Sequence, residues 1–195
     1  KNGIIEPDQV TLDYVNARTD KPYEVVKNDS DAEFLSEHRY NSSEIEPLVA
    51  VPHSPGNKAK ARELSDVEID QAYVGSCTGG KVTDFIAAAK ILKGNQVKVK
   101  TYIVPATTKT EKDLNTKTID GKTLKEIFED AGALIGPPSC AACLGGPPDT
   151  FGRLKGSETC ISTTNRNFPG RMGSKDSFVY LASPLTVASS ALTGK

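Results

Sequence analysis

From residue 70 onward the sequence repeats one pattern, a short apolar run, a glycine-rich turn and a helix-forming stretch, and this repetition restricts the fold more than any other feature. Ala72-Tyr73-Val74 predicts a strand. Residues 84–92 (DFIAAAKIL) predict a helix that stops at Lys93-Gly94, where glycine supplies a left-handed C-terminal residue. Residues 97–104 alternate apolar with polar side chains and read as a strand ended by Pro105. Thr123-Leu124-Lys125-Glu126 is a capping box that opens a helix to Ala131, with Gly132 behind it. Ala133-Leu134-Ile135, Cys160-Ile161-Ser162 and residues 179–182 predict three further strands, and Ser183-Pro184 the cap and first residue of a helix to Leu192. Strands alternating with helices in this way define an α/β chain with a mostly parallel sheet.

The first 70 residues follow no such pattern. Pro7-Asp8 with Leu12 and Val15 predicts a short helix near Pro7, and Asp29-Ser30-Asp31 is expected to cap a second helix holding Ala32, Phe34, Leu35 and His38. Residues 46–57 read as an extended segment between prolines followed by a turn, and that density of proline excludes a central strand. The composition shifts between about residues 55 and 70. Residues 1–65 are therefore expected to be the tail of a preceding α/β domain plus a linker, and 66–195 a second α/β domain.

Charge divides at the same place. The net charge of the 195 residues is −1, but residues 1–70 carry 8 Lys/Arg against 15 Asp/Glu, and residues 71–195 carry 16 against 10. Neither the total nor any run is polybasic, so neither nucleic acid nor a membrane surface is expected as a partner. The apolar runs fall well short of the ~18–20 residues needed to cross a bilayer, and the sequence reads as that of a soluble protein. Four cysteines among 195 residues do not resemble a disulfide framework and suit a reducing compartment.

In a parallel sheet, ligands collect at the carboxyl ends of the strands. Three polar, glycine-rich loops are expected there: residues 76–81, 136–146 and 163–171. Cys140-Ala141-Ala142-Cys143 lies in a rigid loop between Pro-Pro and Gly-Gly-Pro-Pro and can bring two thiolates to one centre. Zinc, a redox dithiol and an iron–sulfur cluster all use such a pair. Zinc would need Cys77 and Cys160 to complete its set, a dithiol would need a following helix, and a cluster with one iron lacking a cysteine would need Cys77, Cys140 and Cys143. Residues 75–82 (GSCTGGKV) nearly match a phosphate-binding loop, but Val82 stands where the metal-binding hydroxyl belongs. Arg166 and Arg171 share a loop crowded with Asn, Gly and Pro, and a guanidinium can hold a carboxylate with two bonds. His38 and His53 read as surface residues.

Residues 73–81 (YVGSCTGGK), 138–145 (PSCAACLG), 162–171 (STTNRNFPGR) and 181–184 (LASP) together resemble the aconitase superfamily, and within it the branch of isopropylmalate dehydratase large subunits. The likeness extends to the Lys1-Asn2-Gly3 opening and to residues 51–57. It implies a three-layer α/β/α fold of the aconitase iron–sulfur domain type and a [4Fe-4S] cluster held by Cys77, Cys140 and Cys143. It implies substrate-binding roles for Arg166, Arg171 and Asn165. The implied reaction is the isomerisation of 2-isopropylmalate to 3-isopropylmalate by dehydration and rehydration, in leucine biosynthesis. A 2-hydroxy dicarboxylate substrate and a heterodimer with a small subunit follow from the same likeness. The family's further Asp, His and Glu site residues are expected ahead of Lys1 and its catalytic serine on the small subunit, so no catalytic residue is assigned within 1–195. The location implied is the cytoplasm for a bacterial source and the plastid stroma for a plant or alga. The competing reading is a non-catalytic zinc- or nucleotide-binding module.

Overall fold

The computed structural model describes Gly3 and residues 5–195. The chain divides into two compact units, Lys1–Glu44 and Ile45–Lys195. In the first, α1 (Gln9–Asn16) is capped by Asp8, whose carboxylate accepts the Thr11 N–H at 2.8 Å. Ser42–Glu44 forms a 3-10 turn, and no described residue of this unit is buried. The helix expected after Asp29 is not formed. Ala32 N–H closes a single turn on Asp29 C=O, and Phe34 and Leu35 remain exposed. A short helix in water depends on burying one face, and this segment buries none.

The second unit is a seven-stranded sheet with a separate hairpin. Its elements are β1 (Leu48–Ala50), β2 (Lys58–Lys60), β3 (Gln71–Gly75), α2 (Ser76–Gly79), α3 (Val82–Leu92), β4 (Lys100–Val104), α4 (Thr108–Thr116), β5 (Thr118–Ile119), β6 (Lys122–Thr123), α5 (Leu124–Asp130), β7 (Leu134–Ile135), β8 (Thr159–Ser162), β9 (Phe178–Leu181) and α6 (Pro184–Thr193). The sheet order is β2-β1-β9-β8-β3-β4-β7. β3 pairs in parallel with both β4 and β8, β4 with β7, and β8 with β9, whereas β1 is antiparallel to β2 and β9. The α/β class with a mostly parallel sheet is thus the observed one. The proline-rich stretch is expected to exclude a central strand, yet β1 has a partner on each side, because its prolines lie just outside it, at 47, 52 and 55, and the ladder keeps its N–H groups.

The compact division falls at 44/45, whereas the composition suggested 65/66. Residues 48–60 form the β1–β2 hairpin, and Ala50 pairs with Leu181 of β9, which makes the hairpin part of the main sheet. Two other differences have local causes. The strand expected over 97–104 begins only at Lys100, because Val97 N–H donates to Ala131 C=O and Lys98 N–H to Ala191 C=O at the ends of two helices. Helix α4 carries almost no apolar signal, burying only Thr110 and Leu114, and starts on the Thr107 cap.

Alternate residues of each strand face two cores. Ala72, Val74, Ile103 and Ile161 face α3, α5 and α6 through Phe85, Leu92, Phe128 and Val187. Tyr73, Val104, Cys160 and Val179 face the other way, against Ala142, Leu154 and Met172. One outer layer is therefore helical, and the other is built by the loops after β7 and β8. Phe85 and Phe128 pack edge to face with centroids 6.0 Å apart, and Thr123 and Glu126 close the capping box of α5 with bonds of 3.2 and 2.8 Å. Phe128→Ala is expected to cost about 3–5 kcal/mol of stability, and Thr123→Ala about 1 kcal/mol. Urea denaturation of the 195-residue chain measures both, and equal losses would contradict this division between core and cap.

Candidate metal centre

The sheet order reverses at β3. From there the chain steps outward through β4 to β7, then returns to the other flank of β3 as β8 and continues to β9. The crevice at the carboxyl ends of β3 and β8 is thus a topological switch point, the ordinary ligand position of an open α/β sheet. The loops after β3 and β8 leave from its two sides. The loop after β7 starts farther away and is brought back over β4 by the Ser139 N–H, which donates to Pro105 C=O at 3.1 Å.

That path joins residues far apart in sequence. Cys77 Sγ and Cys140 Sγ are 3.5 Å apart and not bonded to each other. Cys143 is buried, with Asn165 Oδ1 at 3.9 Å and Arg171 Nη2 donating to its sulfur at 3.6 Å. Gly145, at φ +69°, sits close against Gly170 C=O and holds the cysteine loop on the arginine loop. Arg171 Nε is buried with no protein partner, and the Arg171 guanidinium lies 5.5 Å from the centre of the Phe168 ring. The three expected loops therefore share one edge, and Cys77, Cys140, Cys143, Asn165 and Arg171 come together there. Arg166 does not join them; it is exposed on the same loop. His38 is exposed, and His53 is exposed beside the Phe178 ring.

Cys160 is elsewhere. It pairs in register with Gln71, four residues before the end of β3 at Gly75, or about 13 Å below the crevice at ~3.3 Å per residue. Its thiol is fully buried, and burial pushes its pKa well above the usual thiol range. The four-cysteine zinc set is thereby ruled out. A redox pair of Cys140 with Cys143 also lacks support, since Cys140 faces Cys77 while Cys143 faces Asn165 and Arg171. Among the described residues, no three His, Cys, Asp or Glu side chains converge on a single metal ion. A multi-iron cluster sets a different requirement, because each thiolate takes its own iron. Three thiols on two loops, beside a guanidinium with a free buried N–H, are a donor set of that kind.

The apparent phosphate loop has another purpose. A Cβ on Gly79 would run into Thr163, and one on Gly80 into the Ser76 carbonyl. The glycines allow close packing rather than an open cradle. The first turn of α3 already has its anion, because the Asp84 carboxylate accepts the Lys81 N–H at 3.0 Å. Beneath the turn, Tyr73 is fully buried and its hydroxyl is 3.2 Å from Ser76 Oγ. Burial raises the Tyr73 pKa more than the hydrogen bond with Ser76 lowers it, so the phenol stays protonated. Tyr73, Ser76 and Thr163 had no assigned role in the sequence. A hydroxyl residue at the end of a strand, opposite a Gly-Gly pair, was the available signal.

A mostly parallel sheet with three thiols and a guanidinium on the loops at its switch point defines an α/β protein with a cysteine-lined crevice. The chain belongs to the aconitase family: the model described as Aconitase family (aconitate hydratase) matches residues 56–194. It is 54% identical over 201 residues to the chloroplastic 3-isopropylmalate dehydratase large subunit of Arabidopsis thaliana, covering 100% of this chain and 40% of that relative. It is 44% identical to the probable methanogen homoaconitase large subunit of Methanosarcina mazei, covering 48% of it, and 44% identical to the 3-isopropylmalate dehydratase large subunit of Thermodesulfovibrio yellowstonii, covering 45% of it. The chain thus spans less than half the length of these relatives. Among the described residues, no helix is long and apolar enough to cross a membrane.

Exposure separates the four thiols chemically. In the native metal-free chain at mildly alkaline pH, iodoacetamide should modify Cys77 first and leave Cys160 unreacted, because a thiol with a raised pKa supplies little thiolate. Peptide mass spectrometry reads the order, and early labelling of Cys160 would contradict its buried place in β8.

Proposed function

We propose that this chain is the cluster-bearing part of a hydro-lyase large subunit that isomerises 2-isopropylmalate to 3-isopropylmalate, with a [4Fe-4S] cluster on Cys77, Cys140 and Cys143. The observation that carries the reading is the meeting of Cys77 with Cys140, 63 residues apart, beside Cys143 and Arg171 at the switch point. Family membership and the names of the large-subunit relatives support the same chemistry. When bound, such a cluster supplies an iron that acts as a Lewis acid toward a substrate hydroxyl.

The chain's own residues bind and orient. Arg171 is held by its Nη2 on Cys143 and is only partly buried, so its guanidinium is positioned at the crevice to bind a carboxylate. Arg166, exposed five residues earlier on the same loop, offers a second cation for a dicarboxylate. Asn165, beside Cys143, adds an amide at the edge of the crevice. The positive excess of residues 71–195 favours the approach of a dianion. The proton-removing base is assigned to a small-subunit partner, so catalysis belongs to the longer protein in its heterodimer. The unit Lys1–Glu44 fits the tail of a preceding domain. For a plant source, the chloroplastic relative supports the plastid stroma; for a bacterial source the cytoplasm is proposed.

Anaerobic reconstitution of the 195-residue chain with ferrous iron and sulfide should give bound iron, acid-labile sulfide and broad visible absorbance. Cys77→Ser, Cys140→Ser and Cys143→Ser should each abolish them, while Cys160→Ser should retain them. Uptake of zinc in place of iron, or no iron at all, would overturn the reading. In the longer protein with its small subunit, Arg171→Lys should lower kcat/KM for hydration of 2-isopropylmaleate by about 10–100-fold, the effect of losing a hydrogen bond to a charged group.

A further inference from the structure

Thr163 lies immediately after β8, and its side chain reaches across to the turn that carries Cys77. Its hydroxyl accepts the Gly75 N–H at 2.9 Å and donates toward Gly79 C=O at 3.3 Å, with Gly75 C=O the alternative acceptor at 3.4 Å. Gly75 is the last residue before the Cys77 turn and Gly79 the last residue within it. One buried oxygen therefore joins the entry and the exit of that turn. Thr163 is 4% exposed, and its backbone N–H is also committed, donating to Tyr73 C=O at 3.0 Å.

The turn needs such a clamp because its conformation is otherwise unfavourable. Ser76 has φ +62°, a left-handed conformation that costs a residue with a Cβ free energy, and it precedes Cys77 directly. The contact that Gly79 makes with Thr163 leaves no space for a side chain at 79. Of the neighbouring hydroxyls, Thr164 bonds Ser162 and the Met172 sulfur and does not touch the turn.

From this geometry we infer that Thr163 is a positioning residue for Cys77, its hydroxyl locking the turn in the form that presents the thiol to the metal centre. The inference rests on the assignment of Cys77 as a cluster ligand. Thr163 also stands two residues before Asn165, so the Cys77 turn is tied to the start of the loop that carries Asn165 and Arg171. Thr163→Val preserves shape and removes both bonds; Thr163→Ser preserves the hydroxyl.

Two measurements on the 195-residue chain test this. In the metal-free chain, hydrogen exchange of the Gly75 amide should be at least about tenfold faster in Thr163→Val than in wild type, and unchanged in Thr163→Ser and in Thr164→Val. After anaerobic reconstitution with ferrous iron and sulfide, the visible absorbance should decay in air about tenfold faster in Thr163→Val and at the wild-type rate in the other two. Thermal melts of all four proteins accompany both. Wild-type exchange and wild-type decay in Thr163→Val would overturn the inference, as would loss of both properties in Thr163→Ser, which would assign the effect to the methyl group. A wild-type chain that binds no iron yet shows the expected exchange pattern would overturn the cluster assignment and the positioning role built on it, while leaving the hydroxyl clamp as a feature of the fold.

Discussion

The Cys77 turn is exposed at its thiol but has no free space at its glycines, and the rest of the second unit is arranged to meet that condition. Gly79 is pressed on Thr163, Gly80 on the Ser76 carbonyl, and Gly75 on Val104. The Gly79 and Gly75 contacts come from two different strand ends, β8 on one side and β4 on the other, so the turn is held by the parallel pairing of β3 with both neighbours. Reversing or shifting either pairing would remove one wall of the turn. The sheet topology and the placing of the first thiol are in this sense a single constraint.

The other two thiols depend on loops rather than strands. The loop after β7 leaves the sheet at its edge and is drawn back over β4 by a backbone bond to Pro105, then closed on the loop after β8 through the contact of Gly145 with Gly170. Those same segments replace helices as the outer layer on this face, with Ala142, Leu154 and Met172 packed on Tyr73 and Val179. Packing and site construction use the same residues here. The loop layer therefore cannot be exchanged for a helix without losing Cys140, Cys143 and Arg171 from the crevice.

Much of the fold was legible in the sequence where a local rule acts alone. The helix start near Pro7, the caps at Thr123 and Ser183, the glycine stops at 94 and 132, and the strands around Tyr73 and Ile161 follow from nearest-neighbour chemistry, and each is present. Local rules failed where distant partners decided. Residues 97 and 98 give their N–H groups to helix ends instead of a strand, and α4 stands on two buried residues and a cap. The segment after Asp29 had a capping signal but no face to bury. Position 65 marked a change in composition, while the hairpin at 48–60 had already joined the sheet through β9.

What the sequence by itself determined was the inventory and its order: the strand and helix alternation, three cysteines in loops and one in a strand, and an arginine loop behind β8. These are properties of residue type and spacing, and backbone geometry acts on them within a few residues. Only the tertiary structure decided which of them meet. Cys140 faces Cys77 and not Cys143, Arg171 reaches the sulfur while Arg166 stays in solvent, and Cys160 is withdrawn down the strand. The physical reason is that the order of strands in a sheet is set by long-range pairing and packing. Residues 63 positions apart in the chain become neighbours when the loop after β7 is pulled back over β4, and Arg171 joins them when β8 returns to the free flank of β3.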